Sequence, residues 1–364
     1  MNILLVVGSI GGGGAERVAA NLASEFVDLG HEVGIFYWDE KGHETYEINS
    51  RIRLHKSPNR LLPLRILGLK SLLRKLSVDI VIGFTDMSNI TAWTALSWIP
   101  DRPAFVVSIH SDLRIRDATM GLRIKSRFLR VLHKQACQHA DRVVVVSDGA
   151  KESLIDYYNL ETDSVKKIYN PVLKTVNVFS RRPIANSGLK IVTAGRLTQA
   201  KNYPLMIRAV KILRDRLKIN CRLDIYGSGE LRIQLQLLID ELDLSSKISL
   251  QGFAANLPAK LAENDIFLLS SSWEGFGNVL VEALDAGLRV VSTDCPSGPR
   301  EILANGKYGV LVPLDDPDAM AIAIAEELNN PLVVDELELR QHLHKFTKAK
   351  IAGEYLKVAH KLVN

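Results

Sequence analysis

The chain has 364 residues, of which 47% are hydrophobic and 24% charged, and its formal net charge is +5. This composition excludes an intrinsically disordered chain, a collagen-like chain and a disulfide-rich miniprotein. No apolar run reaches the roughly 18–20 residues that a membrane-spanning helix needs. The three cysteines are scattered without metal-ligand spacing, as is typical of a reducing compartment.

The predicted strands are continuous apolar runs, which are typical of strands buried on both faces of a parallel sheet. Helical patterns such as 203–217, 229–242 and 278–287 separate them, so the chain is predicted to be α/β and doubly wound in two halves. A polar stretch with two prolines, 169–188, is interpreted as the linker. Ligands of such sheets bind beyond the carboxyl ends of the strands, so a cleft between the halves is the expected site. The predicted strands are 2–7, 32–37, 79–84, 104–109 and 142–147 in the first half, and 189–194, 221–226, 247–251, 265–270, 288–293 and 309–312 in the second.

A run of four glycines, Gly11 to Gly14, follows the first strand and precedes a helix. Glycine lets a ligand approach the backbone, and a helix N-terminus attracts anions, so this loop is predicted to contact a ligand. A GxGxxG match beginning at Gly12 fails because Arg17 occupies its last position, although Asp39 ends the second strand as a ribose-binding acid would. An NAD(P)-dependent oxidoreductase therefore stays open as an alternative.

Two segments of the first half are basic. Residues 51–75 include eight Lys/Arg and no acid, and residues 113–134 include seven Lys/Arg and one Asp. The charges alternate with apolar residues, as on helices with one apolar and one cationic face. Ordinary surface helices, helices that lie on anionic lipid, and nucleic-acid binding are three open interpretations, but no recognised nucleic-acid module accompanies the third. On lipid, the charges would come from Arg65, Lys70 and Arg74, and the apolar contacts from Leu61, Leu62, Leu64, Ile66, Phe128 and Leu129.

His110 directly follows the predicted strand 104–109, and this strand-end position favours a functional role. Ser111 and Asp112 are the expected partners that orient it. Two other histidines, His133 and His139, stand on a helical stretch and are interpreted as structural.

The most specific pattern lies in the second half, in the sequence SSSWEGFGNVLVEAL. Glu274 precedes a glycine-bearing loop, and Glu282 follows within a helix predicted to begin near Asn278. The N–H groups of Asn278 and Val279 would face a phosphate at the helix N-terminus. Glu282 would accept hydrogen bonds from a ribose, and Glu274 would reach a sugar beyond the diphosphate.

This pattern resembles the E-x7-E motif of the family-4 retaining glycosyltransferases, which have the GT-B fold. Four further segments resemble that family, namely GGAER, TAGRLTQAKN, IYGSGELR and LQGF, so that the resemblance covers nearly the whole chain. It implies two Rossmann-like domains facing each other across a cleft: 1–170 for the acceptor and 171–347 for the nucleotide sugar. It also implies that a terminal helix, 348–364, returns to the first domain.

The same resemblance implies the residues of the site. Arg196 and Lys201 are expected to clamp the donor diphosphate. The expected catalytic residues are His110, Arg196, Lys201 and Glu274, and the expected acceptor-side residues are Gly13 and Glu16. The expected donor-binding residues are Gly14, Gly195, Gly227, Gly229, Phe253, Gly275, Phe276, Gly277, Asn278, Val279 and Glu282.

The activity that the resemblance implies is a retaining transfer of a hexose or N-acetylhexosamine to a polyprenyl-diphosphate-linked saccharide in surface glycan assembly. UDP-GalNAc is the favoured donor, followed by UDP-GlcNAc or UDP-Gal. No cofactor or metal is expected, because Arg196, Lys201 and the helix N-terminus supply positive charge. The DxD match, Asp316-Pro317-Asp318, is interpreted as a helix cap.

The chain would then work in the cytoplasm, held peripherally on the cytoplasmic face of the inner membrane by its basic first-domain helices, and would not bind nucleic acid. The oxidoreductase remains one alternative, and an inactive basic binding module with the same fold is another.

Overall fold

The computed structural model describes residues 1–11, 13–39, 48–120, 124–177 and 188–363. Parts of four sequence-based predictions lie outside the described residues: Gly12 of the glycine loop, 121–123 of the second basic segment, 178–187 of the linker, and 364 of the terminal helix. The chain forms two compact units, Met1–Lys174 with Lys345–Asn364, and Thr175–His344. The sequence analysis places these boundaries a few residues away, at 170/171 and 347/348.

The first unit contains the strands β1 (Asn2–Val6), β2 (Glu32–Tyr37), β3 (Arg53–Lys56), β4 (Ile80–Gly83), β5 (Ala104–Ile109), β6 (Arg142–Val145) and β7 (Val165–Lys167). They form one parallel sheet in the order β3-β2-β1-β4-β5-β6-β7. Leu4 of β1 is in register with Gly34 of β2 and with Val81 of β4. The strand order therefore reverses between β1 and β4, and such a switch point is where ligands of doubly wound sheets bind.

Helices cover both faces of this sheet: α1 (Gly14–Asp28), α2 (Leu62–Lys75), α3 (Asp86–Leu96), α4 (Leu113–Met120), α5 (Ile124–Gln138) and α6 (Asp148–Tyr158). Alternate residues of β1 point to opposite faces of the sheet. Leu5 packs in the core that includes α1, whereas Leu4 packs in the core that includes α2, α3 and α6. Side-chain caps begin α3 and α6, where Thr85 accepts from Ser88 N at 3.3 Å and Ser147 accepts from Ala150 N at 3.2 Å.

The second unit contains the strands β8 (Leu189–Ala194), β9 (Cys221–Tyr226), β10 (Ile248–Gly252), β11 (Ile266–Leu269), β12 (Arg289–Thr293) and β13 (Val310–Val312). They form a parallel sheet in the order β10-β9-β8-β11-β12-β13. Counted from its own first strand, this is the order 3-2-1-4-5-6 that the first six strands of the other unit also follow. Both sheets are therefore Rossmann-like.

The helices of the second unit are α7 (Tyr203–Asp215), α8 (Arg232–Glu241), α9 (Leu257–Ala262), α10 (Asn278–Asp285), α11 (Pro299–Ile302), α12 (Pro317–Asn329) and α13 (Glu336–Leu343). The helices α7, α8 and α12 share one apolar core with the strands, while α10 packs against β11 and β12. The loop 270–277 leads from the carboxyl end of β11 to the N-terminus of α10.

The terminal helix α14 (Lys348–Val363) belongs to the first unit, where it packs against α1. Its buried residues Ile351, Tyr355 and Ala359 recur at helical spacing on one face and join the core around α1. The expectation that the two domains face each other across a cleft stays a prediction.

All the predicted strands form, and their ends differ from the prediction by at most two residues. The sequence analysis missed β3 and β7, the two edge strands of the first sheet. Their sequences, RLHK and VKK, are short and charged, and they contain too few apolar residues for the periodicity of a buried strand.

Candidate active site

The loops that follow β8 and β11 meet at the carboxyl edge of the second sheet, where the strand order reverses. Ser272 N donates to Ala200 O at 2.9 Å, and Ser270 Oγ donates to Lys201 O at 2.7 Å. These two hydrogen bonds join the loop that carries Lys201 to the loop that carries Glu274. The edge is also the position at which a doubly wound sheet binds its ligand.

Lys201 and Glu274 form an ion pair between Lys201 Nζ and Glu274 Oε1, with side-chain exposures of 20% and 11%. Ser271 Oγ also donates to Glu274 Oε1, at 2.7 Å, and Ser271 O accepts from Thr293 Oγ1 at 2.7 Å. The limited solvent access strengthens this attraction relative to a pair in bulk water. The sequence predicted both charged residues, but not their pairing or the support from Ser271.

Arg196 lies on the same loop as Lys201 and is exposed. Its side chain forms no hydrogen bond or ion pair with any residue in the described ranges. Its guanidinium can therefore bind an anion without giving up a partner, whereas Lys201 has to exchange Glu274 for that anion.

Glu282 lies on α10, with only 7% of the residue exposed. The helix begins after Gly277, whose φ of +96° favours glycine, and continues with Asn278 and Val279 in its first turn. A helix N-terminus carries partial positive charge. Positive charge and a buried carboxylate thus lie on one short helix beside the Lys201–Glu274 pair.

Some of the predicted donor-binding residues have a packing role in the structure. A Cβ added at Gly227 would overlap Gly195 O, and one added at Gly229 would overlap Leu197 O, so both glycines allow the loops after β8 and β9 to approach each other. The Phe276 side chain belongs to the core, with 2% exposure. Phe253, directly after β10, is 55% exposed.

In the first unit, His110 follows β5 and both of its ring nitrogens are hydrogen-bonded. Nδ1 lies 3.0 Å from Asn170 Oδ1, and Nε2 lies 2.9 Å from Ser108 Oγ. The ring stacks on Phe84, with centroids 5.6 Å apart and an interplanar angle of 11°. Burial lowers the pKa of His110 to about 4, although the hydrogen bond with Asn170 acts in the opposite direction. The imidazole is therefore neutral at physiological pH.

The partners predicted to orient His110 are corrected by this geometry. Ser108 and Asn170, rather than Ser111 and Asp112, occupy its ring nitrogens. Asp112 accepts from Ile115 N at 3.1 Å and from Ser153 Oγ at 2.9 Å, so it holds the start of α4. The sequence offered no indication of Asn170, which lies beyond a strand that was not predicted.

The other histidines singled out from the sequence make contacts within the first unit. His133 is 1% exposed, and its ring nitrogens lie 3.1 Å from Asn89 Nδ2 and 3.2 Å from Tyr158 OH. Burial lowers its pKa. His139 Nδ1 lies 2.8 Å from Gln135 O, one helical turn earlier.

The glycine loop of the first unit leads into α1. A Cβ added at Gly13 would overlap the Glu16 carboxylate, whereas one at Gly14 would meet nothing within 4 Å. Asp39, the candidate ribose-binding acid of a dinucleotide fold, pairs with Arg60 at 2.9 Å.

One prediction for the basic segments is wrong. Arg65 is 3% exposed, its guanidinium carbon lies 3.8 Å from the centroid of Trp38, and its Nε donates to Thr91 Oγ1 at 3.1 Å. Burial lowers the pKa of this guanidinium to about 10. Arg65 is therefore not available to a membrane surface, whereas Arg74 is exposed.

A metal site would require several grouped acidic, histidine or cysteine side chains, and the described residues contain no such group of three. The DxD match is a helix cap, as predicted. Asp316 Oδ1 accepts from Ala319 N at 2.8 Å, Pro317 begins α12, and Asp318 pairs with Arg216.

Two family models match the chain in succession. The model described as Glycosyltransferase Family 4 matches residues 12–173, and the model described as Glycosyl transferases group 1 matches residues 178–350. Together they span both units.

Two similar curated proteins come from Campylobacter jejuni subsp. jejuni serotype O:2. One, an N-acetylgalactosamine-N,N'-diacetylbacillosaminyl-diphospho-undecaprenol 4-alpha-N-acetylgalactosaminyltransferase, is 30% identical over 96% of this chain and 96% of its own length. The other, a GalNAc-alpha-(1->4)-GalNAc-alpha-(1->3)-diNAcBac-PP-undecaprenol alpha-1,4-N-acetyl-D-galactosaminyltransferase, is 24% identical over 100% and 99%. Among solved structures, HepE from Anabaena in complex with UDP-glucose has a TM-score of 0.79 at 18% identity and covers 100% of both chains.

Proposed function

Because this chain belongs to glycosyltransferase family 4 and has the GT-B fold, we propose that it transfers N-acetylgalactosamine from UDP-GalNAc to a polyprenyl-diphosphate-linked saccharide. UDP-GlcNAc and UDP-Gal are the next candidate donors. The printed activities of the two Campylobacter relatives support this choice of sugar and acceptor. Family membership makes the chain a glycosyltransferase, so the oxidoreductase and the inactive binding module are set aside.

The observation that carries the proposal is the Lys201–Glu274 ion pair at the carboxyl edge of the second sheet, together with the buried Glu282 on α10, the helix that follows the loop of Glu274. Breaking the bond between sugar and diphosphate builds negative charge on the leaving phosphate, and fixed positive groups stabilise that charge. Arg196 and Lys201 supply positive charge from the loop after β8. The first turn of α10, which follows the loop after β11, supplies further positive charge. Glu282 is proposed to bind the ribose hydroxyls.

Lys201 is proposed to change partners when the donor binds. In the structure its charge is balanced by Glu274, which Ser271 also holds. A diphosphate that takes Lys201 releases Glu274 from its ion pair, while Ser271 still donates to Glu274 Oε1. Glu274 can then accept hydrogen bonds from the hydroxyls of the donor sugar while Ser271 keeps it in place.

The transfer is proposed to retain the anomeric configuration and to need no metal ion. Departure of the diphosphate and attack by the acceptor then take place on the same face of the sugar, and the leaving phosphate takes the proton of the acceptor hydroxyl. The lowered pKa of His110 makes its imidazole a weak base, which suits a reaction that requires no enzyme base. The cationic groups Arg196 and Lys201 take the place of a divalent cation.

A lipid-linked acceptor implies peripheral contact with the cytoplasmic face of the inner membrane. No described helix has both the length and the apolarity to cross a bilayer. The solvent side of α2 is apolar at Leu64 and Leu67, with exposures of 45% and 59%, and basic at Arg74 and Lys75. Apolar side chains beside cations suit an anionic lipid surface, and α2 is proposed as the contact.

Further exposed apolar residues extend this surface. Leu61 adjoins α2, Trp98 follows α3, and Phe128 and Val131 lie on α5. Since α3 packs against both α2 and α5, these residues belong to one helical layer of the first unit. Leu62, Ile66 and Leu129, which were also predicted to meet lipid, are only partly exposed.

Calorimetric titration with UDP tests the proposed nucleotide site. Glu282→Gln removes the charged acceptor of the ribose hydroxyls, and we expect it to weaken UDP binding by roughly 10- to 100-fold, as for a charge-assisted hydrogen bond. The control is Glu241→Gln, an exposed residue at the far end of α8. Equal affinity of both variants for UDP would remove Glu282 from the site.

A further inference from the structure

We propose that Tyr355, on the terminal helix, is a positioning residue for His110 and acts on it through Ser108. The proposal rests on the proposed function and on the catalytic role that the family resemblance implies for His110, and it adds a residue that lies far away in the sequence.

The contact is a chain of three hydrogen bonds. Tyr355 OH lies 2.7 Å from Ser108 Oγ, Ser108 Oγ lies 2.9 Å from His110 Nε2, and His110 Nδ1 lies 3.0 Å from Asn170 Oδ1. The flanking residues are sequestered from solvent: Ser108 is 0%, Tyr355 is 3% and Asn170 is 4% exposed. Three separate parts of the chain, namely β5, the segment after β7, and α14, thus converge on one imidazole.

The direction of each hydrogen bond follows from the residues at the two ends of this series, Asn170 and Tyr355. An amide oxygen can only accept, so Nδ1 of His110 carries the proton and donates it to Asn170. In the neutral ring Nε2 is then an acceptor, and the Ser108 hydroxyl donates to it. Ser108 Oγ accepts in turn from Tyr355, whose hydroxyl has no other hydrogen-bond partner in the described part of the chain.

This arrangement selects one tautomer and one orientation of the ring. Moving the proton to Nε2 would set two acceptors, Nδ1 and Asn170 Oδ1, against each other. It would also turn the Ser108 proton toward Tyr355, whose own proton would then have no acceptor. A buried donor without an acceptor is costly, so Tyr355 disfavours the wrong tautomer.

The consequence is that the packing of α14 bears on the candidate active site. Tyr355 is held in the core shared by α1 and α14, and the ring of His110 is held against Phe84. The terminal helix therefore fixes the state of a residue at the carboxyl edge of the first sheet.

Tyr355→Phe tests the proposal, because it removes only the hydroxyl. We expect kcat for sugar transfer to fall about two- to tenfold, as for loss of one hydrogen bond, with the donor KM unchanged. The ¹⁵N resonances of the His110 ring should shift toward a mixture of tautomers. The control is Tyr158→Phe, which removes another buried tyrosine hydroxyl next to a histidine, His133, and should leave kcat and the His110 resonances unchanged.

A second pair of variants separates positioning from general stability. Ser108→Ala breaks the connection between Tyr355 and His110, so adding Tyr355→Phe to Ser108→Ala should cause no further loss of kcat. Ser108→Ala alone must also change the His110 resonances, because it removes the hydroxyl through which Tyr355 acts. Unchanged resonances would overturn the proposal even if Tyr355→Phe does not fold.

Two results would overturn parts of the account, and they can be told apart. If His110→Ala retains full activity, the catalytic role of His110 is wrong, whatever the NMR spectra show. If His110→Ala is inactive but Tyr355→Phe matches Tyr158→Phe in kcat and in the His110 resonances, the positioning role of Tyr355 is wrong and the proposed function stands.

Discussion

Arg65 and Arg74 lie on the same helix and carry the same charge, but packing gives them different roles. Arg74 is exposed, whereas Arg65 is buried over the indole of Trp38 and bonded to Thr91. The helical pattern predicts which side of α2 is apolar. It does not predict that the side chain of Arg65 bends inward and stacks its guanidinium on the face of Trp38.

We predict that Arg65→Glu destabilises the protein by about 3 kcal/mol or more, because it buries an unpaired carboxylate against the same ring. Arg74→Glu is the control and should change the free energy of unfolding by less than about 0.5 kcal/mol. Urea denaturation measures both variants. Similar midpoints would contradict the burial of Arg65.

His110 predicts a dependence of stability on pH. Its pKa is about 4 in the folded state, against an ordinary value of 6.5, because burial disfavours the charged ring. Between these values the unfolded state binds more protons, so stability rises with pH through this window and the penalty is absent above pH 6.5. At pH 4.5 the penalty from this one group is about 2 to 3 kcal/mol.

His110→Asn removes that penalty. We therefore expect its free energy of unfolding to fall less than that of the unmodified protein between pH 7 and pH 4.5, as measured by urea denaturation. His139→Asn, which changes an exposed histidine of the same unit, is the control. An unchanged pH dependence in His110→Asn would show that His110 is not buried as a neutral ring.

At the scale of elements, α2 carries the proposed contact with membrane. Its solvent side presents Leu64 and Leu67 near one end and Arg74 and Lys75 at the other. Each basic residue near an anionic surface contributes about 1 kcal/mol at most, and salt screens the attraction. The apolar residues add burial only if they enter the interface.

We predict reversible flotation with anionic liposomes that weakens at high salt and on neutral lipid. The double variant Arg74→Glu/Lys75→Glu should reduce it while leaving UDP binding intact. Lys350→Glu/Lys357→Glu makes the same charge change at exposed positions of α14 in the same unit, and it is the matched control. Equal flotation of the two double variants would mean that α2 is an ordinary surface helix.

The elements predicted from the sequence are those whose buried residues form a recognisable apolar pattern. Central strands such as β1 and β8 are continuous apolar runs because helices cover both of their faces. The edge strand β3 has no such apolar pattern, since three of its four residues are exposed. The glycines Gly227 and Gly229 were noticed as ligand-facing, although the structure explains them by the close approach of two loops.

At the scale of the whole molecule, the sequence predicts strands but not their neighbours. The shared order 3-2-1-4-5-6 emerges only when the chain folds, and it brings the loop of Lys201 beside that of Glu274. The motifs identified both residues, because each stands in a recognisable local sequence. Their ion pair, the support from Ser271 and the partners of His110 depend on distances between remote segments, which local spacing does not contain.

The most direct test of the account is a transfer assay with radiolabelled UDP-GalNAc and polyprenyl-diphosphate-linked saccharides, run in excess EDTA. We expect labelled sugar to reach the lipid-linked product with the chelator present. Lys201→Ala should reduce turnover by about 100-fold or more, as for the loss of a preorganised charge at the leaving group. If no lipid-linked acceptor is labelled from any UDP-sugar, or if transfer is lost in EDTA and restored by Mn²⁺ or Mg²⁺, the proposed function or its metal-free mechanism is contradicted.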